Sequence, residues 1–553
     1  MSRTILVCVA WPYANSSLHL GHIAGTWLPA DIFARYHRLK GNRVLMVSGS
    51  DCHGTPVTVT AEQEKKTPQE IVDFFHAEHA EGLRQLEISI DCYFRTSEVA
   101  HKKVAQDFFT TLLQKGFIDE RSIEALYCPS CQRFLPDRYV EGVCPRCKSP
   151  DARGDQCDRC GTTLDPADLK NPRCRLCSSA PMARATRLHY LMLSKLSRDL
   201  AQYLDSRKGW RSTVMNFTKN WIAEGIHDRP ITRDLSWGVP VPLPGHEDKC
   251  LYVWFEAVIG YLSATMEWSR RAGNPEAWRE FWENAQSESY YFIGKDNTPF
   301  HTIIWPSMLF GFGGLNLPTN VPANEYLLVS GEKFSKSRGI GAKLGECLAE
   351  FQPDQIRFYL ASIMPESADA DFSWDGFIAR NNDEFLSVIG NLVNRVLSLT
   401  ARHYGRVPEA GELTAEDQAI LAAAQEAGRR TGAAIERFEF KKALREVLAL
   451  AQAGNQYVNA QAPWKLLKEN PGRAASVLSV SARTCESLMV YLSPFAPQTA
   501  KAAWAMLGFS GDLPAGCWDK GGPRFVAGGP LGAISPLVKK IEREEVESAH
   551  AKG

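Results

Sequence analysis

Thr4-Ile5-Leu6-Val7-Cys8-Val9, Ala10-Trp11-Pro12-Tyr13-Ala14-Asn15-Ser16-Ser17 and Leu18-His19-Leu20-Gly21-His22 follow one another near the start of the chain, and their division settles the fold. The first segment is apolar at nearly every position, which suits a strand buried on both faces of a parallel sheet. The second is a loop, with Ser16 and Ser17 as expected N-caps. The third opens an apolar-periodic helix predicted from about Leu18 to Lys40, and Arg43 to Ser48 reads as the next strand. Strand, helix, strand is a βαβ start, so ligands are expected at the carboxyl ends of the strands of an open α/β sheet.

Residues 68–86 give another helix. The pattern breaks at about Ile123, and from there to Ala183 long apolar runs give way to Cys, Pro, Arg and Asp, as in a small inserted module. It returns at Tyr252-Val253-Trp254 with a helix through about Ser269. The strand Tyr290 to Gly294, the helix Phe300 to Phe310 and the strand Tyr326 to Val329 complete the sheet. After Asp375 the periodicity is helical, with Phe385, Val388, Ile389, Leu392, Val396 and Leu399 on one stripe and further helices at 416–435, 440–460 and 473–492. The charged tail after Lys539 is expected to fray. The predicted fold is therefore α/β: a Rossmann-type parallel sheet in two halves, split by an insertion with a zinc-knuckle module and followed by an all-α bundle. The expected divisions are 1–117 and 251–330 for the two sheet halves, 118–250 for the insertion (module at about 123–183), 331–375 for a linking region and 376–553 for the helical domain.

A chain of 553 residues exceeds a single core. With 44% hydrophobic residues and 14 Trp it is a folded globular protein. No apolar run reaches the ~20 residues that cross a bilayer. The apolar start runs into Trp-Pro-Tyr without a small-residue cleavage site, so no signal peptide is expected and the cytoplasm is the expected location. Sixty-three basic and sixty-three acidic residues leave no net charge, so a nucleic-acid partner must meet a local patch. Eight of the 15 cysteines form four C-x-x-C pairs between Cys128 and Cys177, a spacing that favours metal over disulfides.

Two polar motifs carry the chemistry. His19 and His22 stand three apart at a helix start, where unpaired N–H groups and the helix dipole suit a phosphate, and Gly21 between them lets a flat base approach. The alternative is a pair of surface histidines. Gly331-Glu332-Lys333-Phe334-Ser335-Lys336-Ser337 places two lysines in a glycine-flanked loop, fit to follow a triphosphate whose charge moves in reaction; the alternative is a solvated basic loop.

An H-x-G-H after the first strand and a K-x-S-K-S after the last resemble the paired signatures of class I aminoacyl-tRNA synthetases. Ala10 to Asn15, Ser50-Asp51-Cys52-His53-Gly54-Thr55-Pro56, Tyr252 to Ala257, Phe292-Ile293-Gly294-Lys295-Asp296 and Phe300-His301 make the resemblance more specific, to the methionyl-tRNA synthetase family. It implies activation of methionine with ATP and Mg²⁺ to an adenylate and pyrophosphate, then transfer to the terminal ribose of a tRNA. It places Ala10, Trp11, Tyr13, Trp254, Ala257, Val258, Tyr261, Phe300 and His301 in a methionine pocket with Asp51 on the ammonium. His19, Gly21, His22, Gly294, Asp296, Lys333 and Lys336 fall to ATP, with both histidines and both lysines as the catalytic set. Trp11, Val258 and Phe334 depart from the commoner family residues Leu, Pro and Met. Taken singly, Phe300 reads as core packing.

Eight thiolates suit two Cys₄ zinc sites, and four pairs combine in three ways: sequential, crossed or nested. Cys144, Cys147, Cys157 and Cys160 match the four ligands of one-zinc relatives, so the nested pairing is expected, with Cys128, Cys131, Cys174 and Cys177 closing the second site. The insertion is too short for the hydrolytic editing domain of the leucyl, isoleucyl and valyl relatives. In the helical part the resemblance assigns Asn391, Arg395 and Trp464 to the tRNA anticodon; alone, a Trp after Pro463 reads as a hydrophobic anchor. A monomer is expected. The rival readings are a cysteinyl-tRNA synthetase, against which the aromatic cup and clustered C-x-x-C pairs argue, and a non-catalytic RNA-binding paralogue, which had no need to keep His19, His22, Lys333 and Lys336.

Overall fold

The computed structural model describes residues 2–154, 157, 159–160, 162, 164–329, 332–333, 342–522 and 528–546. Its centre is a five-stranded parallel sheet in the spatial order Ala323–Asn324, Glu288–Gly294, Thr4–Val9, Arg43–Ser50, Cys92–Arg95. The first strand is buried on both faces. Ile5, Val7 and Val9 join the core beneath the helix Leu28–Leu39, while Leu6 and Cys8 join the core on the opposite face. Chain order runs outward in both directions from Thr4–Val9, so the switch point lies between that strand and Glu288–Gly294. Their carboxyl ends, Val9 and Gly294, open the crevice where such sheets bind ligands.

The long predicted helix is interrupted. A short helix Leu20–His22 passes into a π-helical turn, Ile23–Trp27, before the α-helix Leu28–Leu39. The same happens after the second switch-point strand, where the π turn Phe300–Ile304 precedes Trp305–Phe312. One apolar strand also departs from the place its sequence suggests. The sheet ends on Ala323–Asn324, and Leu327–Val329 instead joins a small sheet between Glu332–Lys333 and Ala370–Phe372. A three-residue apolar strand does not reveal which sheet it serves.

The insertion is a long antiparallel ribbon, Ile118–Cys128 against Met182–Leu191. At its end sits a three-stranded sheet of Ala152–Arg153, Val140–Val143 and Lys170–Cys174. From Trp374 to Met506 the chain is mainly helical, with Ala415–Glu436, Phe440–Gln461 and Pro471–Leu492 as the long members. After Met506 most of the described residues run without regular structure, so the helical periodicity expected to the end of the chain stops there. The long helices share one continuous apolar core with the helix Leu28–Leu39. Arg357, fully buried, fastens this junction: it donates to Asp31 Oδ2 (2.6 Å) and to the carbonyls of Leu86, Pro494 and Phe495. The charged tail does not fray where the structure describes it. Val538, Ile541 and Val546 are buried in the core, and the Lys539 carbonyl accepts from Gln355 and Asn381. Charge in the sequence marked only the outward face of this segment. No helix among the described residues is long and apolar enough to cross a membrane.

Candidate active site and cysteine centres

At the switch point lies a cavity of about 360 Å³. Its lining includes Ala10, Trp11, Tyr13, His19, Gly21, His22 and Asp51 from the first sheet half. From the second half it includes Trp254, Ala257, Val258, Tyr261, Gly294, Asp296, Phe300 and His301. Every residue expected for methionine, and every one expected for ATP apart from the two lysines, is thus drawn from distant segments to one place. Lys333 lies in the two-residue strand paired with Leu328, beside Leu327 of the cavity wall. Lys336 lies outside the described residues.

The two histidines cap one another. His19, not Ser16 or Ser17, is the N-cap of Leu20–His22. Its Nδ1 accepts from the His22 backbone N–H (3.3 Å), and His22 Nδ1 accepts from the His19 backbone N–H (3.2 Å). The rings stack with centroids 3.6 Å apart. Burial pushes His19 down to about 4 and lowers His22 further below its ordinary value, with the neighbouring imidazoles adding to the effect on His22. Two neutral rings whose Nδ1 atoms both accept must each carry the proton on Nε2. The pair is therefore a fixed set of Nε2–H donors at a helix start.

The apolar end of the cavity is stiff. The Trp254 indole donates to the Tyr13 hydroxyl (2.7 Å), and its ring lies 4.4 Å from that of Phe300. Phe300 therefore faces the cavity and is only half-buried. His301 Nδ1 lies 3.0 Å from the Asn297 carbonyl and can only donate to it, so Nε2 accepts from the Tyr261 hydroxyl (2.7 Å). Burial holds His301 neutral by pushing it down to about 4. Trp11 occupies a slot between two glycines: a Cβ on Gly49 would come within 2.5 Å of its ring and one on Gly260 within 2.9 Å. That slot is how this chain accommodates an indole at position 11. Gly54 does the same for Tyr13, whose ring would overlap a Cβ placed there.

Asp51 is 4% exposed. Pro12 and Ala14 hold its backbone, the first accepting from its N–H (2.8 Å) and the second donating to its carbonyl (2.9 Å). Burial, and then the nearby Glu256 carboxylate, push the Asp51 carboxyl well above its ordinary range. Glu256 itself is fully buried, yet its carboxyl lies below the usual range. Burial opposes ionisation there, but His53 Nδ1 (3.0 Å) and His101 Nε2 (2.7 Å) grip its two oxygens, and His101 Nδ1 meets Ser263 Oγ at 3.0 Å. Sequence reasoning assigned no role to this Glu256–His53–His101 group, since its members lie 203 and 155 positions apart. It also missed Arg138, which reaches the cavity wall from the cysteine module on the turn Asp137–Tyr139.

In that module the cysteines gather as two quartets, Cys128/Cys131/Cys174/Cys177 and Cys144/Cys147/Cys157/Cys160, which is the nested pairing. The sulfur separations are 3.5 Å (Cys128–Cys177), 3.9 Å (Cys131–Cys174), 3.9 Å (Cys144–Cys160) and 3.6 Å (Cys147–Cys157). A tetrahedral ion with bonds of ~2.3 Å sets its sulfurs about 3.8 Å apart, so both quartets fit zinc. Gln132, Lys148 and Ser178, each directly after the second cysteine of a pair, have φ of 51°, 62° and 60°, the left-handed turn that closes each knuckle.

In the helical domain Arg395, from Asn391–Tyr404, donates to Asn459 Oδ1 (2.7 Å) and Asn455 Oδ1 (2.9 Å) on the helix Phe440–Gln461. Asn391 is exposed. That second helix ends at Ala462, in the left-handed region at φ 43°, and Pro463–Glu469 follows with Trp464 41% exposed. The indole is not a buried anchor. The two asparagines that hold Arg395 were not singled out from sequence, although Asn455 and Asn459, four apart on one helix, carried the signal.

Residues 5–397 match the family model of tRNA synthetases class I (M), and residues 407–552 match that of the anticodon binding domain of methionyl tRNA ligase. The methionine–tRNA ligase of Thermomicrobium roseum is 46% identical, over 99% of this chain and 98% of its own length. That of Dehalococcoides mccartyi is 47% identical over the whole of both chains. Among solved structures, Mycobacterium tuberculosis methionyl-tRNA synthetase in complex with methionyl-adenylate superposes with a TM-score of 0.81 at 23% identity, covering 97% of this chain and all of that one, which shows the shared fold. On the two family models and the full-length relatives together, the chain belongs to the methionine–tRNA ligase family of class I tRNA synthetases.

Proposed function

We propose that the chain activates L-methionine with ATP to methionyl-adenylate and pyrophosphate, then transfers methionine to the terminal ribose of its tRNA. One observation carries the reading: a single cavity is lined by an aromatic cup, a buried carboxylate and the paired imidazole donors. Trp11, Trp254, Phe300 and the Tyr261–His301 pair surround the thioether, a polarizable group that gains from ring contacts. Ala10, Tyr13, Ala257 and Val258 complete that wall. Asp51 takes the ammonium in a charge-assisted bond. An arriving cation offsets the repulsion from Glu256 and draws Asp51 into its ionised form, while His53 and His101 keep Glu256 charged without substrate.

The methionine carboxylate is the nucleophile, so activation needs alignment and charge stabilisation more than a base. It forms the acyl–phosphate bond at the α-phosphorus as the bond to pyrophosphate breaks. The His19 and His22 Nε2–H groups hold phosphate oxygens. Gly21 and Gly294 admit the adenosine, and Asp296 holds the ribose. Lys333 and Lys336 meet the departing pyrophosphate, with Mg²⁺ entering alongside ATP. The ribose hydroxyl of the tRNA then attacks the acyl carbon and AMP leaves.

Each cysteine quartet holds one zinc ion in a structural role, because four thiolates leave it no open position for water. Asn391 and Arg395 read anticodon base edges and Trp464 stacks on a base. The chain works as a cytoplasmic monomer, within the five divisions drawn from its sequence. ATP–pyrophosphate exchange with each amino acid in turn tests the proposal. Exchange with methionine alone is expected; exchange with cysteine alone, or with none, overturns it.

A further inference from the structure

Three side chains of the insertion converge away from the cavity. Glu120 and His189 are directly opposite partners across the long ribbon, which puts their side chains on one face. His246 comes from the excursion whose ends are joined by the Pro240–Cys250 bridge. His189 is 3% exposed and His246 8%, with ring centroids 4.9 Å apart. Glu120 Oε1 lies 3.4 Å from His246 Nε2, and one ligand atom from each of the three falls within 4.8 Å of the others.

This arrangement is poorly satisfied as it stands. Nδ1 of His189 and Nδ1 of His246 are buried with no hydrogen-bond partner among the described residues, and buried polar atoms rarely go unpaired. The neighbouring cations are already engaged. Lys249 pairs with Asp234 and Thr186, and Arg187 meets Glu120 through Oε2, leaving Oε1 on the histidine side.

We propose that Glu120, His189 and His246 form a third metal site, a two-histidine, one-carboxylate set for a borderline divalent ion such as Zn²⁺. The ion clips the 240–250 excursion to the ribbon that carries the cysteine quartets. The donors are nitrogen and oxygen only, and three protein ligands leave a position for water. The site is therefore weaker and more exchangeable than either quartet, and spectroscopically distinct from both. None of its residues lines the catalytic cavity, so occupancy acts on the insertion and not on adenylate chemistry.

The test is Co²⁺ titration of the purified zinc-loaded protein after brief dialysis against a mild chelator. The expected result is about one equivalent of Co²⁺ bound with nitrogen- and oxygen-type visible bands and no thiolate charge-transfer band. Glu120→Gln, at an exposed carboxylate, should weaken that binding by about tenfold or more while methionine-dependent exchange stays at the wild-type rate. His246→Gln should abolish it; if His246→Gln does not fold, Glu120→Gln decides alone. Co²⁺ uptake confined to thiolate sites overturns the proposal, and so does binding of wild-type affinity in the variants.

Discussion

The catalytic cavity and the cysteine module share a wall, since Arg138 of the module lines the cavity, yet they are stabilised in opposite ways. The cavity sits on a sheet packed on both faces, and Asp51, Tyr261 and His301 of its wall are buried, the last two hydrogen-bonded to each other. The module's apolar cluster is small, and Cys128, Cys144, Cys157 and Cys174 are among its members. Its ligands are also its core. A site that must hold charge in fixed geometry needs a large scaffold, whereas a short insertion can be made rigid by an ion.

The largest effect that tests this contrast is loss of the outer quartet. Cys174→Ser should lose one zinc ion per chain and unfold the module, because structural zinc supplies roughly 10–16 kcal/mol. Elemental analysis and limited proteolysis between residues 128 and 181 would read this out. Methionine-dependent exchange should fall with it. The Arg175 N–H of the outer knuckle bonds to the Tyr139 carbonyl (2.9 Å), holding the turn that presents Arg138. Cys160→Ser, in the inner quartet, should lose its zinc with a smaller loss of exchange. Full exchange in Cys174→Ser would show that the two regions merely adjoin.

Asp51→Ala probes the other side of the contrast. Removing the carboxylate proposed to meet the substrate ammonium should cost about 2–5 kcal/mol in methionine activation while ATP affinity changes little. Parallel loss of both would make Asp51 a structural residue like Glu256. A smaller change is expected for Trp464→Ala. Charging of tRNA should weaken by about 1–3 kcal/mol through loss of one base stack, with exchange and thermal stability unaltered. A fall in stability would return the indole to a packing role.

The smallest effect concerns pH. In the helical domain Asp417 is buried, which raises its pKa, but Arg473, Tyr457 and the Thr414 N–H prevail and bring it down to about 2. Its folded value lies below the ordinary ~3.9. The stabilisation is therefore fully present above about pH 4 and is lost as pH falls through about 2, with a slope of at most one proton, ~1.4 kcal/mol per pH unit. Urea unfolding across that range should show the slope in the wild type and a flatter profile in Asp417→Asn.

What was legible in the sequence was what neighbouring residues fix. The alternating cores of Thr4–Val9, the spacing of His19 and His22 and the four C-x-x-C pairs are local patterns. The strand Leu327–Val329 went to the wrong sheet because its pairing is set by Ala370–Phe372, more than forty residues on. The π turns Ile23–Trp27 and Phe300–Ile304, and the π-helical stretch Arg380–Gly390, were invisible because one extra residue in a helical turn barely alters an apolar stripe. The N-cap was assigned to serine on its general preference, whereas two stacked imidazoles satisfied the helix start themselves. The Glu256 group escaped because buried polar networks join distant segments and leave no periodic trace.

The slot around Trp11 has a historical consequence. At Gly260, each of the three atoms that an added methyl would meet first belongs to the Trp11 ring. Gly260→Ala is therefore costly while Trp11 is present and cheap after Trp11→Leu, so the two substitutions are strongly non-additive. A lineage leaving this arrangement must change position 11 before position 260, and one arriving at it must empty position 260 first. The order of the steps is imposed by an indole's width.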